Sequence, residues 1–304
     1  MKKFKKIVAL DNTGMNEEGK ALLQTLGEAV EFFEGVPDEQ EAIRRIGDAD
    51  CVLVSLFSTI PRSVIEACPN IRYIGLSCSL FRSSPASCKV DLAACDERGI
   101  EVTGIFHYGD AGVREFVVAA LAMLLHGHQK YLWGDYPHEL TYRKFGVIGL
   151  GTVGKLVCEA MKFFGADIYY TDQQEVPDAE ERGFKYLPLD DLLRTVDIVS
   201  IHVPRGSCVM TAREFDIFGP NKILVNCSLG TVFDVPAMKQ WLTSCENNFY
   251  LADKDGAGDY FEEFKNMKNT IIGNNTAGAS VELTNRRSEK MLENMRKFLG
   301  TADK

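Results

Sequence analysis

The chain has 304 residues, 45% hydrophobic and 25% charged, with a formal net charge of −9 and a sequence pI of about 5.2. That length suits two domains with separate cores, and an acidic chain without a dense Lys/Arg cluster has no electrostatic footprint for nucleic acid. No stretch approaches the roughly 20 apolar residues of a membrane span, and the lysine-rich start MKKFKKIVALDNTG carries only IVAL as an apolar run, too short for a signal peptide, so a cytoplasmic protein is expected.

The first candidate strands are KKIVAL (5–10), AVEFFE (29–34), CVLVSL (51–56), IRYIGL (71–76) and IEVTG (100–104). Helical patterns at 17–27, 38–47 and 90–99 lie between them, and a long apolar helix spans about 110–127. A second alternation begins at FGVIGLG (145–151). Its later strands are ADIYYT (166–171), VDIVSIH (196–202), KILVN (222–226), FYLAD (249–253) and NTIIG (269–273). An amphipathic helix over 281–299 closes the chain and is expected to pack back on the first unit. The rhythm predicts an α/β protein of two doubly wound, parallel-sheet units. The nine cysteines are odd in number and form no CxxC, which reads as reduced, mostly buried thiols. Cys78 and Cys227 fall at strand ends and are expected to line a cleft without reacting. No metal site is read from the sequence.

GLGTVG (149–154) fits G-x-G-x-x-G in the right setting: it follows an apolar strand, opens a helix, and a second strand ends at Asp172. Gly149 allows the tight turn, Gly151 lets backbone approach a pyrophosphate, and Gly154 lets the helix pack closely on the sheet. Thr152 and Val153 lie in the same turn, where free N–H groups and the helix dipole favour phosphate. Asp172 can accept hydrogen bonds from an adenosine ribose and would repel a 2′-phosphate. Gln173 and Gln174 bring no positive charge, so NAD is favoured over NADP. The predicted unit is Rossmann-like.

Several segments together resemble the D-isomer-specific 2-hydroxyacid dehydrogenases, phosphoglycerate dehydrogenase among them. They are VDLAACDERGIEV (90–102), Val113 and Glu115 opening the long helix, ELTYRKFGVIGLGTVG (139–154), Asp172, HVP (202–204), NCSLGTVFDVPAM (226–238), LAD (251–253) and NTAGAS (275–280). The resemblance implies a flavodoxin-like substrate domain from residues 1–107 and 281–304, an NAD-binding domain over 108–280, a ligand cleft at their junction, a small acidic ligand and a homodimer. It implies further cofactor contacts from His202, Val203, Pro204, Cys227, Ser228 and Asp253.

The family's three catalytic groups are missing from the matching positions. Leu229 stands where an arginine would hold the substrate, Gly258 where a glutamate would orient a histidine, and Asn275 where that histidine would be. Leucine offers no donor or charge for a carboxylate, and asparagine cannot take or return a proton near neutral pH. Asp255 and Asp259 lie near Gly258 in sequence. The segment SCSLFRSSPASCK (77–89) is longer than the family's substrate loop and makes Cys78, Ser79 and Arg82 substrate candidates, Arg82 either as a replacement arginine or as a solvated loop residue. His107 is weighed as a relocated base, and Lys254 as a cation for an acidic ligand or a partner of Asp255. Three functions follow: an NAD-dependent oxidoreductase with lost or altered catalysis, a non-catalytic NAD(H)-dependent sensor or interaction protein, or an enzyme with a different substrate on which a relocated acid or base acts.

Overall fold

A computed structural model describes residues 2–82, 88–128 and 131–301. The chain divides into two compact units, Met1–Tyr108 with Val281–Lys304, and Gly109–Ser280.

The first unit runs β1 (Phe4–Ala9), α1 (Glu17–Leu26), β2 (Gly27–Phe32), α2 (Glu39–Ile46), β3 (Cys51–Val54), α3 (Arg62–Ala67), β4 (Tyr73–Leu76), α4 (Leu92–Glu97) and β5 (Glu101–Thr103). Its five strands are all parallel in the order β2-β1-β3-β4-β5. β3 and β4 are buried at every position, as expected of strands covered by helices on both faces. Asn16, Asp38 and Asp91 cap α1, α2 and α4 by accepting backbone N–H groups.

The second unit runs α5 (Asp110–Leu125), β6 (Lys144–Ile148), α6 (Thr152–Phe163), β7 (Asp167–Thr171), β8 (Lys185–Tyr186), α7 (Leu189–Thr195), β9 (Ile198–Ile201), α8 (Ala212–Phe218), β10 (Ile223–Asn226), α9 (Val235–Ser244), β11 (Phe249–Ala252), α10 (Lys254–Ala257), α11 (Phe261–Lys265) and β12 (Thr270–Ile272). Seven parallel strands lie in the order β12-β11-β10-β9-β6-β7-β8. Sequence order reverses between β6 and β9, and in open α/β sheets ligands bind outside the carboxyl ends at such a switch point. Asp234 caps α9 and Pro236 lies in its first turn.

α12 (Val281–Leu299) belongs to the first unit. Its apolar face, Met291, Leu292, Met295 and Leu299, joins Phe4, Leu23 and Tyr73 in one core cluster. Several short elements are absent from the sequence reading, among them α3, α7, α8, α10, α11 and β8. None of these exceeds seven residues, too short for either periodicity to register. Glu115 does not open the long helix. α5 begins at Asp110, and Glu115 lies past its first turn, exposed beside Arg114 at 3.7 Å.

Candidate functional site

The turn after β6 constrains two of its three glycines and leaves open space at the third. Gly149 has φ +92°, and a Cβ there would lie 2.2 Å from the His202 carbonyl oxygen. At Gly154 a Cβ would lie 2.2 Å from the Gly149 oxygen, so the first turn of α6 rests directly on the strand end. A Cβ on Gly151 would meet no atom within 4 Å. Gly151 is also the N-cap of α6 and supplies no capping side chain, so the first N–H groups of the helix keep their capacity to bind an anion. Asp172 accepts from Leu150 N and Gln173 N, each at 2.7 Å. These bonds tie the end of β7 to the glycine turn and leave carboxylate lone pairs for a further donor.

The adjoining strand ends are stitched by side chains. Ser228 Oγ donates to the Ile201 carbonyl at 3.1 Å and accepts from Val203 N at 3.2 Å, joining the ends of β9 and β10. Asn226, fully buried, donates to the Gly230 and Gly256 carbonyls at 3.1 and 2.9 Å and accepts from Ser228 N at 3.0 Å. Asp253, 1% exposed, caps α10 through Gly256 N at 2.7 Å and holds Ala277 N at 2.6 Å. Burial, the largest influence, raises its pKa even so. Ser228 and Asp253 thus organise loops with atoms that the sequence reading assigned to cofactor. His202 Nε2 lies 2.8 Å from Ser200 Oγ. The residue keeps part of its surface exposed, while desolvation lowers its pKa to about 4, so the imidazole is neutral at physiological pH. Pro204 is exposed and Val203 half-buried beside it.

The turn after β10 presents Leu229 to solvent, 46% exposed. It lines a cavity of about 470 Å³ with Arg205, Thr231, Lys254, Asp255, Gly258, Asp259 and Tyr260. Lys254 makes no ion pair with Asp255 among the described residues; its Nζ lies over the Phe261 ring, 5.8 Å from the centroid. No histidine lines this cavity among the described residues. Gly258 sits at φ +57°, and a Cβ there would lie 3.3 Å from Thr231 N. A glutamate at this position meets both left-handed strain and crowding. Asn275 is exposed, and its carbonyl accepts from Lys254 N at 3.2 Å. Sequence reasoning passed over Arg205, Thr231 and Tyr260, whose loops carry no recognisable spacing.

In the first unit, Cys78 is buried at the end of β4 with its pKa pushed up to about 11 by desolvation, and Ser79 follows half-buried. Arg82 pairs with Asp96 at 3.1 Å, both half exposed. Residues 83–87 of the long loop lie outside the described residues. His107 has φ +59° and packs beside Phe106. All nine cysteines are unpaired thiols, and burial also raises the Cys227 pKa. The described residues contain no cluster of metal-ligating side chains and no helix long and apolar enough to cross a membrane.

The profile of the D-isomer specific 2-hydroxyacid dehydrogenase NAD-binding domain matches residues 122–277. A hydroxypyruvate reductase from Blautia hydrogenotrophica is 32% identical over 219 residues, covering 66% of each chain. The D-3-phosphoglycerate dehydrogenase of Escherichia coli is 28% identical over 246 residues, 76% of this chain and 58% of that protein. The chain thus spans less than two thirds of the length of either relative. A 2-hydroxyacid dehydrogenase from Ketogulonicigenium vulgare has the same fold, with a TM-score of 0.81 at 21% identity over 99% of this chain and 97% of that one. With a glycine turn of this geometry inside the matched segment, the chain belongs to the D-isomer-specific 2-hydroxyacid dehydrogenase family and carries its NAD-binding domain.

Proposed function

We propose that this protein binds NAD(H) at the 149–154 turn, holds a small acid, and has lost or altered the hydride transfer of its relatives. The carrying observation is the cavity beneath Leu229. It holds an exposed leucine, a glycine at φ +57° and no histidine among its described lining residues. A positioned acid–base group contributes about 10²–10⁴ in rate, and none of the three family positions holds one. The same observation favours a non-catalytic NAD(H)-dependent sensor or interaction protein over an ordinary dehydrogenase.

On this reading Gly151, Thr152 and Val153 face the pyrophosphate and Asp172 the adenosine ribose, with Val203 and Pro204 flanking the nucleotide. A homodimer is proposed with it, supported by strongly exposed aromatic rings on the second unit at Tyr136, Tyr142 and Phe163. The unpaired thiols suit a reducing, cytoplasmic setting. Fluorescence titration with NADH and NADPH tests the nucleotide assignment. NADH is expected to bind at least ~10-fold more tightly, about 1.4 kcal/mol. Asp172→Asn, which keeps an acceptor for Leu150 N, is expected to narrow the gap. Equal affinity of the wild type for both nucleotides would refute the ribose assignment.

A further inference from the structure

Among its described residues, the first unit contains a half-buried cation with no counter-charge. Among the described residues, Arg287 Nε is the one buried side-chain nitrogen or oxygen with no hydrogen-bond partner. Arg287 also makes no ion pair among the described residues. Its guanidinium lies over the Tyr108 ring, 5.5 Å from the centroid. It also lies so close to Gly14 that a Cβ there would fall 2.0 Å from Nη1. The residue is only half-buried, but withdrawing a charge from water without a partner is costly, and desolvation lowers the pKa of this arginine.

Its neighbours fix the position of this side chain. Arg286 Nε donates to the Tyr108 carbonyl at 2.8 Å, and Ser288 Oγ accepts from Asn16 N at 3.0 Å. Two contacts therefore lock the register of α12 on either side of Arg287. Gly14 belongs to the loop that leaves β1. Strand order reverses between β1 and β3 in this sheet, so the loop lies at the sheet's own switch point, where open α/β sheets take ligands. The nearby acid at that point is already engaged: Asp11 accepts from Ser55 N at 2.9 Å and from the Ser55 and Ser58 hydroxyls, each at 2.5 Å.

We infer that Arg287 is the anchor of an anion site at the carboxyl edge of the five-stranded sheet, taking the carboxylate of a small organic acid. A guanidinium offers two parallel donors that match a planar carboxylate. A single cation flanked by an aromatic ring suits a monoanion with an apolar remainder better than a doubly charged phosphate. The site lies wholly within the first unit and needs no nucleotide.

The test uses the full chain without NAD(H), labelled at arginine Nε, with Arg287→Lys assigning the signal. Pyruvate is the carboxylate probe and inorganic phosphate the alternative. The expected result is that pyruvate moves the Arg287 Nε–H resonance saturably and that Arg287→Met, which keeps the stem, weakens binding about 10–100-fold. If Arg287→Met does not fold, the wild-type titration decides alone. A resonance unmoved by pyruvate overturns the site, and movement by phosphate only overturns the carboxylate assignment. Equal pyruvate affinity in folded Arg287→Met overturns the role of this arginine.

Discussion

Two sets of loops end strands of the same seven-stranded sheet, and their tips carry different cargo. After β6, backbone does the work: Gly149 and Gly154 meet separate steric demands, Gly151 leaves open space at the helix start, and Asp172 holds the turn from the side. After β10 and β11, the holding network is just as complete, with Asn226, Ser228 and Asp253 joining four loop segments. Its tips, however, are Leu229 and Gly258, which have no acid, base or donor in their side chains. The contrast teaches that the residues which shape a loop and the residues which would react from it are separable.

The strongest way to sharpen that contrast is to return a missing group. Gly258→Glu is expected to cost about 2 kcal/mol of stability, because its φ of +57° is left-handed and Thr231 N is close. Gly258→Asn should cost less, since asparagine tolerates this region better. Urea unfolding measures both, and a Gly258→Glu protein as stable as wild type would show that the glutamate is absent for some other reason. Consequently the combined Leu229→Arg, Gly258→Glu and Asn275→His protein is expected to be destabilised rather than restored.

On the nucleotide side, Gly151→Val is expected to cost at most about 1 kcal/mol, for the lost glycine N-cap, since a Cβ at Gly151 meets nothing within 4 Å. NADH affinity should fall at least ~10-fold, about 1.4 kcal/mol, because the branched side chain would occupy the pyrophosphate's approach. An unchanged dissociation constant would place the nucleotide elsewhere.

The smallest effect concerns His202, which follows β9 between the two loop sets. Its folded pKa of about 4 lies below the ordinary 6.5, so the unfolded chain binds a proton that the native state refuses. The stability tied to this group is full above pH 6.5 and is lost as pH falls toward 4. Between pH 7 and pH 5 the wild type is expected to lose about 1 kcal/mol more than His202→Gln, allowing for the partly exposed residue. Matching losses in urea unfolding at the two pH values would show that the ring is freely solvated.

The strands were legible because parallel strands covered on both faces leave unbroken apolar runs such as CVLV and ILVN. The glycine turn was legible because its constraints fall on one residue type at fixed spacing. The conformation of Gly258 was not, since glycine in a sequence does not disclose its φ. Besides its local cap, Asp253 holds Ala277, a residue 24 positions away, and that contact was not legible. Arg287 reads as one more charge on an amphipathic helix until α12 is placed against Gly14 and Tyr108.

The central claim is that a nucleotide is held over loops that cannot move the substrate's proton. It is tested most directly by mixing saturating NADH with pyruvate, glyoxylate or hydroxypyruvate and following cofactor absorbance through a single turnover. The account predicts NADH that is bound yet oxidised more slowly than about 10⁻² per second, against the 1–10³ per second usual for enzymes. Oxidation faster than about 1 per second with any of the three acids would contradict it.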